Sequence, residues 1–180
     1  MVEYTEFQTP EMTNNLGMLG YNLISREGSI PKPSRLGPEE AIIRVLYSHP
    51  DPRYIEGLPV IIQKNDIDYT VLVGLVEQYS SKDPYIANKV GYILDMTVSL
   101  FRSIGVEKDI SELESTIKEL EKMKNPNDSV LNPNLDSKPY RRFAMQERSE
   151  MTKRWNLIEV PEGDSFRKTL LGYINRQNVH

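Results

Sequence analysis

Residues 36–104 carry 24 of the chain's 48 Leu, Ile, Val and Phe in 69 positions, and prolines punctuate them about one helix apart. Apolar residues three and four apart line one face of an α-helix, and proline fits a helix best in its first turn. Four helices follow from this. The first is expected near 38–49. Pro38 opens it, Glu39 and Glu40 suit the positive end of the helix dipole, and Ile42, Ile43, Leu46 and Tyr47 share a face until Pro50 stops it. The second, near 51–64, starts on Asp51-Pro52, an N-cap followed by a first-turn Pro. Its face is Tyr54, Ile55, Leu58, Ile61 and Ile62, and Pro59 in mid-pattern predicts a kink or break near Gly57. The third runs near 68–80 on Val71, Leu72, Leu75, Val76 and Tyr79. Asp83-Pro84 restarts the chain for a fourth, near 84–104, with Ile86, Val90, Ile93, Leu94, Thr97 and Phe101 inward.

The two Asp-Pro starts align at an offset of 32 residues, which sets Leu58 on Val90, Ile61 on Ile93 and Ile62 on Leu94. Each follows an amphipathic helix ending in Tyr-Ser, at 47–48 and 79–80. Helical hairpins of this period are the unit of α-solenoids, whose faces bury by stacking. Chance use of a common N-cap signal is the competing explanation. A further amphipathic helix is expected near 109–124, opened by Asp109 and Glu112 as an acidic capping box and carrying the stripe Ile110, Leu113, Ile117 and Leu120. The fold class is therefore all-α, a solenoid-like helical-hairpin core with an extra amphipathic helix and a C-terminal helical appendage. Any β structure is confined to 156–160.

The segments outside the core are poorer in apolar residues. Residues 1–35 read as a flexible N-terminal arm that touches the core through 16–24 alone, with Pro31 and Pro33 marking an extended linker. Residues 36–124 form the helical core domain. Residues 125–139, with three Pro and two Asn-Pro-Asn triplets, form a linker. Residues 140–180 form a basic C-terminal helical segment. From 138 onward the net charge is +4, against −8 before it.

Several chemistries have no residues to carry them. The chain has no Cys and only two His, His49 and His180, which excludes thiolate zinc sites, thiol nucleophiles and three-His metal centres. It has no Gly-rich phosphate loop and no Gly-x-Ser-x-Gly elbow. Asp66 and Asp68 have a D-x-D spacing that metal sites use, and N-capping accounts for Asp68. No cofactor, no metal and no enzymatic activity are expected. No run approaches the 18 apolar residues of a membrane span, and the acidic N-terminus lacks the apolar region of a secretory signal. A cytoplasmic protein is the default expectation.

Four runs carry a family resemblance: PEEAIIRVL at 38–46, IEGLPVII at 55–62, IDYTVLVGLVEQYS at 67–80 and ANKVGYILD at 87–95. Together they resemble the helical domain of AbiE-type abortive-infection antitoxins, and the closing run Lys89, Val90, Gly91, Tyr92, Ile93, Leu94 and Asp95 is the most specific part. The resemblance implies a helical module that acts with a protein partner such as a nucleotidyltransferase-type toxin, with Lys89, Gly91 and Tyr92 as family-like partner-binding residues. It does not carry the family's DNA-binding role to the N-terminus, where 35 residues are too few for a winged helix. Gly91 also has a purely physical reading. A helical Gly costs roughly 1 kcal/mol against Ala, so close approach of a neighbouring helix is expected there.

The alternative function is nucleic-acid binding through the basic segment. Arg141, Arg142, Arg148, Lys153 and Arg154 can neutralise phosphates, and Tyr140, Phe143 and Trp155 are interleaved for stacking. An overall charge of −4 argues against a dedicated nucleic-acid binder. The competing expectation is that the segment docks on residues 1–124 of its own chain or on a second copy of it. Phe143, Met151, Trp155, Leu157, Ile158, Phe166, Leu170 and Ile174 would be its anchors, and Trp155 would be largely buried.

Overall fold

The structure, a computed structural model, describes residues 9–22, 36–48, 51–131, 138–146, 148–158 and 163–177. They form helices α1 (Thr9–Met18), α2 (Pro38–Ser48), α3 (Pro52–Lys64), α4 (Tyr69–Ser80), α5 (Ile86–Ile104), α6 (Ser111–Met123), α7 (Lys138–Gln146), α8 (Glu150–Arg154) and α9 (Gly163–Gln177). The fold is all-α. No strand occurs among the described residues. The region expected to hold one makes a single parallel bridge, Ser129 with Leu157, and residues 159–160 lie outside the described part.

Local chemistry sets the helix boundaries, and several differ from expectation. Asp51 caps α3 from an extended backbone and accepts a hydrogen bond from Arg53 N at 2.9 Å. Asp68 caps α4 by accepting from Val71 N at 3.0 Å. Asp83, by contrast, does not cap α5. One of its oxygens accepts from Tyr85 N at 2.9 Å and the other pairs with Lys89 at 2.7 Å, so α5 begins at Ile86. Asp109 likewise accepts from Ser111 N in a turn before α6 and forms no capping box. Nor does Pro59 break α3, which is continuous from Pro52 to Lys64. Leu58, Val60, Ile61 and Ile62 around it are fully buried, and burial at ~1.5–3 kcal/mol per side chain outweighs the ~3 kcal/mol cost of an interior Pro.

The end of α3 would leave carbonyls without partners. Lys108 supplies the donors, with its Nζ at 2.6 Å from Ile62 O and 2.7 Å from Asn65 O. A cation at a helix C-terminus also complements the dipole. Burial lowers the Lys108 pKa.

Helix α5 is the centre of the molecule. It packs against α2, α3, α4, α6, α8 and α9 and is buried on nearly every face from Ile86 to Phe101. Helix α2 packs on α4 and α3 on α5, as stacked hairpins do, but α2 also packs on α5, and α6, α8 and α9 cover α5 elsewhere. The hairpins thus lie inside one helical cluster. The stripe Leu113, Ile117 and Leu120 of α6 is buried within it.

The flanking segments are tied more closely to this cluster than the sequence suggests. Helix α1 begins at Thr9, ahead of the 16–24 patch, and buries Met12 and Leu16, and Tyr21 after its end is buried too. Tyr21 lies on Gly57 of α3, where an added Cβ would stand 2.1 Å from its ring. The proline-marked linker at 29–34 lies outside the described residues. In the loop after α6, Val130 and Leu131 are buried, and α7 begins at Lys138, inside the expected linker. The C-terminal segment docks: Trp155, Leu157, Ile158, Phe166 and Leu170 are buried, and α9 packs on α3 and α5. Phe143 is the exception among the expected anchors. It is 59% exposed on α7, so α7 lacks the anchor that holds the rest.

Candidate functional site

The family-like run on α5 faces the interior. Lys89 and Asp83 form an ion pair at 2.7 Å in which both side chains are largely buried. Tyr92 is 1% exposed. Gly91 is the floor of a seat for Trp155, whose ring lies where a Cβ would be. The indole Nε1 donates to Asp95 at 3.0 Å. Asn88, fully buried one turn earlier, donates through Nδ2 to Trp155 O at 2.8 Å and Asn125 O at 3.0 Å, and accepts from Asn125 N at 2.8 Å. A buried amide satisfied on both ends fixes the geometry of what it touches. This one fixes α8 and the loop after α6 against α5. The neighbour over Gly91 is thus not the packed helix expected there but an aromatic side chain 64 positions along the chain, from the C-cap of α8.

Arg154 closes the seat from outside. It bonds Asp95 at 2.9 Å and Glu121 at 2.8 and 3.0 Å, and its guanidinium lies 5.7 Å from the centre of the Trp155 ring. These carboxylates raise the Arg154 pKa, and the bond from Arg154 holds the Glu121 carboxyl below its usual value. Of the other basic candidates, Arg148 pairs with Asp128 at 2.8 Å and Lys153 with Glu150 at 2.6 Å. Arg142 is exposed on α7, and the side chain of Arg141 lies outside the described part. The structure thus divides the four that it describes. Arg148 and Arg154 are bound to the chain's own carboxylates across the tail–core contact, Lys153 is paired within α8, and Arg142 faces solvent.

A second feature joins residues that sequence spacing does not relate. Helices α4 and α6 pack side by side and leave an open groove of about 930 Å³ between their outer faces. Asp66, Asp68 and Glu77 line one wall, Glu112 and Glu119 the other. Among the described residues none of the five is in an ion pair. Asp68 caps α4, and Glu39 reaches in to accept from Asp68 N at 2.7 Å. Tyr69 lines the same groove. Burial, and then the Glu112 carboxylate, push its phenol up to about 12. Gly74 lies between Val73 and Glu77 on the α4 wall, and a Cβ added there would meet nothing within 4 Å. The floor is rigid, because Leu72 and Val76 of α4 and Leu113 and Ile117 of α6 are buried behind it.

Chemically, the groove attracts cations. Among the described residues no three His, Asp or Glu converge closely enough to hold a metal ion, and no helix is long and apolar enough to cross a membrane. The sequence signal for the groove was slight: Asp66-x-Asp68 and Glu112 are visible as acidic helix starts, but nothing in the spacing places 66–77 beside 112–119. Comparison of the chain with family models, with curated proteins and with solved structures finds no match.

Proposed function

We propose that the chain is a non-catalytic helical interaction module that presents the α4–α6 groove to a protein with a basic surface. The observation that supports this is the set of five carboxylates, in no ion pair among the described residues, held on α4 and α6 and on the turn that leads into α4. Like charges gathered on one face cost stability through mutual repulsion, and a cationic partner relieves that cost while being steered to the face. An antitoxin-like role toward a nucleotidyltransferase-type toxin is the narrower form of this proposal and rests on the resemblance over 38–95. Nucleic-acid binding is the second reading, supported by exposed Arg142 beside exposed Phe143 on α7.

Co-expression with the product of an adjacent gene, followed by affinity capture and a salt series, tests both. A defined protein lost with Glu77→Lys plus Glu119→Lys, and retained with Arg142→Glu, supports the groove. Retention of nucleic acid that Arg142→Glu abolishes, with no protein bound, supports the second reading and overturns the first.

A further inference from the structure

Among the described residues of the docked C-terminal segment, helix α7 is where large apolar side chains turn outward. Phe143 is 59% and Met145 47% exposed, and Arg142 and Gln146 are exposed beside them. The sequence of the nine-residue helix holds three basic residues, of which the side chain of Arg142 is described and exposed. It has no acidic residue between 138 and 146. An exposed aromatic on a basic helix is an unpartnered face, and its chemistry indicates what covers it: an acidic groove with a gap for a ring.

The same chain carries such a groove. The walls between α4 and α6 run about two helical turns, from Thr70 to Glu77 and from Glu112 to Glu119, or roughly 11 Å at 1.5 Å per residue, against ~13.5 Å for α7. Carboxylates flank the groove on both sides, and Gly74 leaves open space on the α4 wall. No described side chain of α7 lines the groove of its own chain. We infer that α7 of one copy docks in the α4–α6 groove of a second copy, with Phe143 against Gly74 and Arg142 among Glu77, Glu112 and Glu119. This rests on the reading of the groove as a protein-binding surface and names a second copy of the chain as its occupant. The contact joins two different patches, so each copy keeps a free groove or a free α7 unless the contacts close reciprocally.

Sedimentation velocity of the full chain over a concentration series tests it. Reversible self-association is expected, weakening as salt rises from ~0.05 M to ~0.5 M. Glu77→Lys plus Glu119→Lys, and separately Arg142→Glu plus Phe143→Ser, should each weaken association at least roughly tenfold. These side chains are on the surface, so unchanged far-ultraviolet dichroism is expected, and Arg142→Glu alone is the milder second variant. Mixing the two crippled chains should restore a pair, because one supplies an intact α7 and the other an intact groove. A monomeric wild-type chain at every concentration, self-association indifferent to both variants, or failure of the mixed variants to pair each overturns the proposal. If the wild type stays monomeric while the groove variant loses a captured partner protein, the second copy is the wrong occupant and the groove reading stands.

Discussion

The indole of Trp155 occupies the space over Gly91, where a Cβ would stand 2.0 Å from Cζ3 of its ring. Trp155 is completely buried there and is the only tryptophan in the chain, so its emission reports whether the C-terminal segment is seated.

Gly91→Ala sets two effects against each other. Alanine gains about 1 kcal/mol of helix propensity, and its methyl group collides with a buried ring that has no room to retreat. Overpacking of this kind costs ~1–3 kcal/mol and also disturbs the bonds of Asn88 and Asp95 to the tail. A net loss on the order of 1–2 kcal/mol in urea unfolding is expected, with red-shifted tryptophan emission. Unchanged or increased stability would show that the seat yields.

Trp155→Ala should cost ~3–5 kcal/mol, the range for deleting a large buried aromatic. Trp155→Phe keeps most of the packing and removes the bond from Nε1 to Asp95. Its cost should fall to about 1.5–3 kcal/mol, the worth of a hydrogen bond to a charged group. Equal losses for the two variants would mean that the bond, not the ring, holds the tail.

Acid should loosen the same contact. The bond from Arg154 lowers the Glu121 pKa from its ordinary 4.5, so Glu121 contributes stability that is complete above that value and is lost as pH falls through its lower folded value. Glu121 is partly exposed, so the contribution is under ~1 kcal/mol. Glu121→Gln should lower stability at pH 7 by that amount and flatten the slope below pH ~4.5. An unaltered acid slope would assign the acid sensitivity to other carboxylates.

Lys108→Met keeps an apolar stem and removes the donors from Ile62 O and Asn65 O. Leaving those carbonyls unpaired should cost ~1–3 kcal/mol. Hydrogen exchange should speed up first in the last turn of α3. Protection that falls evenly along the chain would mean that Lys108 acts only through global stability.

Helices α2 to α6 were legible because each is amphipathic and bounded by Pro, Asp or Gly, signals that act within a few residues. The approach to Gly91 was legible too, since a glycine in a buried helix needs a reason. That the reason is Trp155 was not legible, because the pairing depends on how α5 and α8 cross. Asp83 and Asp109 look like Asp51 in sequence, yet Lys89 and a backbone turn claim their oxygens. Of the kink or break expected at Pro59 the break is absent, because tertiary burial overrode a local penalty. The groove was least legible of all. Its walls lie more than thirty residues apart and meet only because α4 and α6 both pack on α5.

The groove is tested most directly by photo-crosslinking in cells from position 74. A bulky photoreactive side chain fits there, since nothing lies within 4 Å of a Cβ at Gly74, and replacing a helical Gly does not weaken α4. The expected result is a discrete protein adduct, a second copy or another chain, that disappears when Glu77 and Glu119 are both changed to Lys. Absence of any protein adduct from position 74, or an adduct unaffected by those two reversals, would contradict a groove that recruits protein through its carboxylates.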